Sequence, residues 1–391
     1  MPPGSLRDEC QRRLALFREV LAAHGLDGAL LLWATDVYYL AGTRQNAALW
    51  VPAAGEPALL VRRSLERARA ESPLADVRPF PPSRELAAAF PGARRVGFAL
   101  DVVPVAVHQF WARALPGVEL VDVAPGLRQQ RSAKSPFEIE RMRATGRLLA
   151  GVYAELPTFL RAGMREVDLA AELEARLRRA GNEGSPRVRG FNQEVFMGVA
   201  VAGPSAEAAS FFDGPVTGGG LSPSSPLGAS RAPIPPDAPV VVDYTAMLDG
   251  YFVDMTRIAV CGRLAPELLR AFDVALSIQE EVVRGLRPGA IPSRLYAGAC
   301  EMADAAGLGG CFMGPAGGQV RFVGHGVGLE LDELPVLAPG FDAPLRVGQT
   351  VAVEPKFVLP GLGAVGIENT WAVAEGGGDR LTGPDDAIIR V

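Results

Sequence analysis

The chain has 391 residues, of which 48% are hydrophobic and 21% are charged, and its formal net charge is −5. Since single hydrophobic cores stop growing near about 250–300 residues, this length predicts two domains. The negative net charge provides no basic surface for nucleic acid, and no apolar run approaches the roughly 20 residues of a membrane-spanning helix. We therefore expect a cytoplasmic protein that has neither nucleic acid nor a membrane as a partner.

Residues 1–132 have the pattern of an α/β domain. Apolar positions at helical spacing, among them Leu14, Phe17 and Leu21, indicate an amphipathic helix over residues 6–24. Short apolar runs separated by turn residues predict strands, and a further helix follows the last of them. The predicted strands are 29–33, 47–51, 57–61 and 95–100, and the further helix is 103–115. Titratable residues do not cluster in this half, so we expect the functional site in the other half.

A second domain is predicted over residues 133–391. Its first helix is marked by Ser135 as the N-cap, Pro136 as the first helical residue and Glu138 as the partner in a capping box. Hydrophobic periodicity predicts further helices at 166–180, 265–286 and 292–306, and strands around 240–260 and 350–373. We expect an α+β domain with antiparallel hairpins, in which the Gly-, Pro- and Ser-rich loop 213–239 borders the site.

Two aspartates flank a strong hairpin signal in residues 240–257. Asp249 and Gly250 lie between two apolar runs, and this dipeptide is typical of a two-residue hairpin turn. Counting outward from the turn places Asp243 and Asp254 on the same face, as diagonal neighbours. Two buried carboxylates repel each other, and a divalent cation between them removes that cost.

A second hairpin, in residues 351–371, repeats this arrangement. Its turn is centred near Gly361, and counting outward places Glu354 opposite Glu368. Directly opposed like charges destabilise a strand pair, so this pairing again predicts a cation between the two carboxylates.

An imidazole completes the predicted ligand set. His325 lies between glycines in the run GHGVG, where the backbone can approach closely and the ring is left available to a metal. One Asp-Gly hairpin alone is typical of an ordinary exposed turn, but four carboxylates and one imidazole together indicate a metal site. Such a set suits two divalent ions of manganese, iron, cobalt or zinc.

The order and spacing of these motifs resemble the family of methionine aminopeptidase, aminopeptidase P, prolidase and creatinase. The resemblance comprises Asp243 and Asp254 eleven residues apart with DMTR at the second, the GHGVGLE run, and the EP and IE motifs with Glu354 and Glu368. Residues 26–42 also resemble the N-terminal domain of the creatinase and prolidase type. The resemblance implies a pita-bread fold for the α+β domain, a homodimer and a small peptide or peptide-like substrate.

The same resemblance implies roles for the five ligands. Asp243 and Glu368 would bridge two metals, Asp254 would chelate one, and His325 with Glu354 would complete the other. Glu354 would also move the proton in amide hydrolysis by a metal-activated water. The implied activity is that of an Xaa-Pro aminopeptidase or dipeptidase.

The chain departs from the family pattern at substrate-handling positions. A histidine expected before Asp243 is replaced by the 224–226 region, and one expected after GLEL is Asp332. Lys356 stands where the family has a glycine, and Gly366 stands where it has an arginine. We expect Lys356 to supply the missing positive charge from the opposite strand, and count it with Asp332 and Glu354 as a catalytic candidate.

Arg189, Asn192 and Phe212 lie before the flexible loop and are candidates for substrate contacts, although they could equally be rim and core residues. Two other functions stay open at this point. One is a creatinase-like hydrolase of a C–N bond in a small non-peptide amide, and the other is a non-catalytic binding protein of the same fold. The intact ligand set favours a metal-dependent hydrolase, whereas the missing histidines favour the alternatives.

Overall fold

The computed structural model describes residues 5–184 and 186–391, so the first four residues of the predicted N-terminal domain lie outside it. The chain divides into two compact units between Arg131 and Ser132. None of the described helices is both long enough and apolar enough to span a bilayer.

The first unit is built on one six-stranded sheet in the order β4-β3-β2-β1-β5-β6. Its strands are β1 Gly28–Leu31, β2 Ala47–Pro52, β3 Ala58–Val61, β4 Asp76–Pro79, β5 Arg95–Phe98 and β6 Glu119–Asp122. Its helices are α1 Leu6–Ala23, α2 Ala34–Ala41, α3 Leu65–Glu71, α4 Val105–Ala114 and α5 Ala124–Ser132. β1 pairs antiparallel with β2 and parallel with β5, so the sheet is mixed. This confirms the predicted α/β fold class.

Over residues 132–184 and 186–391, the second unit contains three sheets. Its helices are α6 Pro136–Ala154, α7 Leu156–Phe159, α8 Glu166–Arg179, α9 Pro266–Arg284 and α10 Pro292–Ala305. Its strands are β7 Gly198–Ala202, β8 Val240–Leu248, β9 Tyr251–Val260, β10 Gly324–Gly326, β11 Glu333–Leu337, β12 Thr350–Val353, β13 Lys356–Leu359, β14 Gly363–Gly366, β15 Asn369–Ala372, β16 Asp379–Arg380 and β17 Ile389–Arg390. The sheets are β17-β9-β8-β7, β11-β10-β12-β15-β16 and the two-stranded β13-β14.

The hairpin β8–β9 has the register expected from its turn. Leu248 pairs with Tyr251, which leaves Asp249 and Gly250 as the central residues, and both have positive φ, 48° and 81°. Two positive φ values are characteristic of a type I′ turn, whose twist matches that of the flanking strands. Further along, Asp243 pairs with Thr256 and Thr245 pairs with Asp254.

The second hairpin also keeps the predicted register, but it is divided between two sheets. Val353 on β12 pairs with Asn369 on β15, and Lys356 on β13 pairs with Gly366 on β14. Glu354 and Glu368 lie at the break between these ladders, opposite each other in the shared register. The break therefore brings two carboxylates to the point where the sheets separate.

Helix α6 fixes the first hairpin in place. The Ser135 hydroxyl accepts a hydrogen bond from the Glu138 backbone N–H at 3.3 Å, while the Glu138 carboxylate accepts one from the Ser135 backbone N–H at 2.9 Å. This capping box satisfies N–H groups at the helix start. At its other end the Tyr153 hydroxyl is 3.2 Å from the carbonyl oxygen of Val242 and 2.7 Å from that of Met255.

Helix α9 supports the second hairpin through an apolar stripe at helical spacing. The buried stripe comprises Leu268, Ala271, Phe272, Ala275, Ile278 and Val282, in one core cluster with residues of β12, β13 and β14. Burying such a face favours folding by about 25 cal/mol per Å² of apolar surface. The ligand-bearing strands therefore rest on a packed core.

Candidate metal centre

His325 on β10 is oriented by a hydrogen bond to the backbone. Its Nδ1 atom is 3.0 Å from the carbonyl oxygen of Leu331 and 3.2 Å from that of Gly326. A carbonyl only accepts, so Nδ1 carries the proton and Nε2 is the atom left for a metal. The backbone thereby selects the tautomer.

Three carboxylates surround Nε2 of His325. The nearest carboxylate oxygens of Glu354, Glu368 and Asp254 are 3.7, 3.8 and 3.9 Å away, respectively. These distances exceed a hydrogen bond. They suit ligands on different sides of one ion, since metal–ligand bonds of this type are about 2.0–2.2 Å long.

Two further observations fit a divalent ion at this place, which we call the histidine position. Glu368 Oε1 is buried and has no hydrogen-bond partner. Within the described residues, Asp254, His325 and Glu368 offer ligand atoms that all lie within 4.8 Å of one another. A cation would satisfy the orphaned oxygen and the repelling charges together.

The opposite side of the cluster is filled by an ammonium group. Lys356 Nζ donates hydrogen bonds to Glu354 Oε2 at 2.6 Å, to Asp243 Oδ2 at 2.9 Å and to Glu368 Oε2 at 2.9 Å. An ammonium has three N–H donors, so its capacity is fully used. We call this place the lysine position.

The two glutamates connect the two positions. Glu354 and Glu368 each present Oε1 toward His325 and Oε2 to Lys356. Asp254 lies on the histidine side, and Asp243 is the third carboxylate of the lysine position. The long side chain of Lys356 reaches the oxygens between Asp243 and the glutamates, and the expected role of Asp243 as a bridge between two metals stays a prediction.

Burial sets the charge states of the aspartates and of Glu354. Desolvation is the main reason that the pKa of Asp254 lies well above its usual range and that the pKa of Asp243 is also raised. The same effect, together with the nearby charge of Glu368, raises the pKa of Glu354 to about 7.

The other members of the cluster are governed by their neighbours. Burial opposes ionisation of Glu368, but Lys356 and His325 outweigh it and lower the pKa of Glu368 to about 2. Burial also opposes a charge on His325, but Glu368, Glu354 and Asp254 together raise its pKa to about 10. Three carboxylates likewise hold the pKa of Lys356 well above its ordinary value despite its burial. The raised pKa of Lys356 therefore favours its ammonium form.

Threonine hydroxyls support the ligands from outside. Thr256 Oγ1 donates to Glu368 Oε2 at 2.8 Å, and the Asp254 backbone N–H donates to Thr370 Oγ1 at 2.9 Å. Such supporting contacts fix the direction of metal ligands.

The cluster opens into a cavity of about 270 Å³. Asp243, Asp254, His325, Glu354 and Glu368 lie on its wall, together with Phe212 and Asp332. The volume is near the lower end for small-molecule sites, which are roughly 300–1,000 Å³. The wall is therefore suited to a small ligand.

Asp332 stands on the cavity wall at the position of an expected family histidine. Its Oδ1 atom accepts a hydrogen bond from the backbone N–H of Arg189 at 3.2 Å, and burial raises its pKa. The other expected position, 224–226, carries no histidine and borders a tight turn closed between Ser222 and Ser225.

The sequence-based substrate contacts are only partly assembled. Phe212 lines the cavity, whereas Arg189 and Asn192 are not among the described residues on its wall. Arg189 is buried with a guanidinium nitrogen 3.8 Å from Glu330, and Asn192 is exposed in a turn with φ of 59°. Sequence reasoning missed several lining residues, among them Gln193, Val195, Met197, Phe322 and Val336. Phe322 could have been predicted as a lining residue from the sequence, since it is an aromatic residue three positions before His325.

Family models cover both parts of the chain. Residues 140–375 match the model of metallopeptidase family M24, and residues 13–133 match that of the creatinase/prolidase N-terminal domain.

Relatives match along nearly the whole length. A protein of Mycobacterium bovis named "Probable dipeptidase PepE" is 28% identical over 404 residues, covering 99% of each chain. An "Xaa-Pro dipeptidase" of Pyrococcus horikoshii is 25% identical over 373 residues, covering 95% of this chain and 97% of the relative. Among solved structures, an Xaa-Pro dipeptidase from Bacillus anthracis superposes with a TM-score of 0.83 at 22% identity, covering 98% of this chain and all of that one. This structural likeness agrees with the predicted pita-bread fold.

Proposed function

Because the chain belongs to metallopeptidase family M24, we propose that it is a dipeptidase that hydrolyses Xaa-Pro dipeptides at the centre formed by Asp243, Asp254, His325, Glu354 and Glu368. The observation that carries the proposal is the arrangement around His325, whose Nε2 faces three carboxylates while Nδ1 is bound to a backbone carbonyl. The names of the relatives from M. bovis and P. horikoshii support the choice of dipeptides.

The ligand set supports manganese, cobalt, iron or zinc, with manganese as the first choice, since three of the four groups at the histidine position are carboxylates. Asp254, His325, Glu354 and Glu368 would hold one ion there. Asp243 and the two glutamates would hold a second ion only where the Lys356 ammonium is displaced. When bound, such an ion supplies Lewis acidity to the amide carbonyl and lowers the pKa of water.

The protein groups have separate tasks in this proposal. Glu354, whose pKa is about 7 before a metal binds, accepts a proton from the attacking water and passes it to the leaving amine as the C–N bond breaks. Lys356 stabilises the ionised form of Glu354 at 2.6 Å. Asp332 and Phe212 lie on the wall that receives the substrate, where Asp332 can accept a hydrogen bond from the substrate amine.

A cytoplasmic location and a homodimer complete the proposal. The first is supported by the four cysteines, which form no disulfide, and the second by the resemblance of the sequence to the family. Size-exclusion chromatography with light scattering measures the second directly.

The test of function is hydrolysis of matched peptides by the protein loaded separately with each of the four metals. Leu-Pro is compared with Leu-Ala, with the tripeptide Leu-Pro-Ala, and with creatine, a small non-peptide molecule whose guanidinium group has a hydrolysable C–N bond. Metal-dependent release of proline from Leu-Pro in preference to the other substrates is the expected result. If only the tripeptide is cleaved, with release of its first residue, the result would favour an aminopeptidase. Turnover confined to creatine would favour the creatinase-like alternative, and binding without turnover would favour a non-catalytic protein.

A further inference from the structure

We propose that the Lys356 ammonium serves as a built-in substitute for one of the two metal ions. In the resting protein the histidine position binds one divalent ion tightly, and a second ion enters only by displacing the ammonium. The proposal rests on the proposed function in one respect, which is that the cluster binds metal.

The oxygens that a second ion needs are already used by Lys356. Oδ2 of Asp243 and Oε2 of Glu354 and Glu368 each accept a hydrogen bond from Nζ at 2.6–2.9 Å. The Oε1 atoms of both glutamates face His325 instead. Each glutamate therefore has one oxygen for an ion and one for the ammonium.

Electrostatics opposes a second ion beside the ammonium. An ion bound by these oxygens would lie within roughly 3–4 Å of Nζ, where the two positive charges repel strongly even at an effective dielectric constant near 20. When all four carboxylates are ionised they carry four negative charges, and one divalent ion with the ammonium neutralises three of them. A second divalent ion would reverse the sign of the net charge.

The fold leaves Lys356 no easy alternative position. Its side chain is 2% exposed and lies on a strand that is buried throughout. Moving the ammonium away from its three acceptors would leave a buried, unpaired charge, which is strongly destabilising.

Gly366 makes room for the lysine on the opposite strand. A Cβ atom at Gly366 would lie 2.6 Å from Cγ of Lys356 and 2.6 Å from the carbonyl oxygen of Pro355. The strand pair β13–β14 therefore approaches closely only because this position has no side chain. Lys356 and Gly366 act as one unit that directs the ammonium into the carboxylates.

The test counts bound ions and is independent of activity. Metal-free protein is titrated with Mn²⁺ by isothermal titration calorimetry, and retained metal is counted by mass spectrometry after desalting. Lys356→Met keeps an apolar stem of similar length and removes the charge. Lys134→Met is the matched control, since Lys134 is the sequence's other lysine, is also buried, and pairs with Glu333 at 2.8 Å outside the ligand set.

We expect the natural protein and Lys134→Met to retain one ion per chain and to bind a second at least about 100-fold more weakly, as the repulsion requires. Lys356→Met should retain two, and its electron paramagnetic resonance spectrum should change from that of an isolated Mn²⁺ to that of a coupled pair. Two tightly held ions in the natural protein would overturn this inference but not the proposed function, even if Lys356→Met did not fold. One ion in folded Lys356→Met would also overturn it. Binding of no ion by any of the proteins would overturn the proposed function as well.

Discussion

The carbonyl oxygen of Leu331 accepts a hydrogen bond from Nδ1 of His325 at 3.0 Å, which leaves the other ring nitrogen toward three carboxylates. Leu331 follows His325 by six residues, within the same GHGVGLEL segment. The ligand and the group that orients it therefore come from one short stretch of chain.

Metal binding should tighten as the pH rises. A metal needs His325 unprotonated at Nε2 and Glu354 ionised, and the pKa values of these groups before metal binding are about 10 and about 7. Protons therefore compete with the metal, and the apparent affinity for Mn²⁺ should rise by at least about tenfold per pH unit between about pH 6 and pH 8. Calorimetry in two buffers with different ionisation enthalpies measures the released protons. An affinity that does not change with pH would contradict this assignment.

Thr256→Val should weaken metal binding. The substitution keeps the side-chain shape but removes the hydroxyl that donates to Glu368 Oε2 at 2.8 Å, and loss of such a supporting contact typically costs about 10–100-fold in affinity. Thr245→Val is the control, because Thr245 occupies the equivalent place opposite Asp254 but donates to the carbonyl of Met197. Equal Mn²⁺ affinities for the two variants would argue against a role for the Thr256 hydroxyl.

Removing metal should destabilise the second unit. The four carboxylates meet only in the folded protein, so an ion binds the folded state and raises the free energy of unfolding by about 2.7 kcal/mol when its concentration is about 100 times its Kd. Chelation should therefore lower the unfolding midpoint measured by scanning calorimetry, and Mn²⁺ should restore it. Asp254→Asn should respond much less to either treatment. A natural protein indifferent to chelator and Mn²⁺ would contradict the prediction.

Asp332→Asn should impair turnover without changing metal content. Asp332 lines the cavity but belongs to neither the histidine position nor the lysine position, and the substitution removes a negative charge that faces the substrate. We expect kcat/KM for Leu-Pro to fall by about tenfold, or roughly 1.4 kcal/mol. Steady-state kinetics together with metal analysis of the same samples provide the measurement. Unchanged kinetics would remove Asp332 from the candidate residues.

Two glycines of α6 should respond oppositely to alanine. A Cβ at Gly146 would lie 2.0 Å from the carbonyl oxygen of Leu381, whereas a Cβ at Gly151 would have no atom within 4 Å. Gly146→Ala should therefore lower the free energy of unfolding by about 1–3 kcal/mol through overpacking. Gly151→Ala should raise it by about 0.5–1 kcal/mol through helix propensity. Urea unfolding of both variants checks the pair, and equal shifts in one direction would contradict the packing of α6 on Leu381.

The sequence predicts the strands that carry the metal ligands well because the turn residues restrict the register of each hairpin. Asp249 and Gly250 favour one turn type, and a turn fixes which residues face each other along both strands. The registers counted outward from the Asp249-Gly250 turn and from the turn near Gly361 are confirmed residue by residue.

The cavity wall was predicted less well because much of it comes from irregular backbone. Periodicity indicates side-chain direction in helices and strands but not in the segment that carries Arg189 and Asn192. The strand register also predicts only that Lys356 lies near the carboxylates. Its contact with three of them depends on side-chain reach and on the space at Gly366, neither of which is encoded in a two-residue repeat.

Lys134 and Lys356 are the two lysines of this sequence, and both are buried in the second unit. Arginine therefore supplies all of the exposed side-chain positive charge, and an amine-directed acylating reagent finds no accessible lysine on the folded protein. Acylation of Lys356 requires the hairpin that carries it to open. The rate at which Lys356 is acylated thus reports how often this hairpin opens transiently. No label has to be introduced for the measurement.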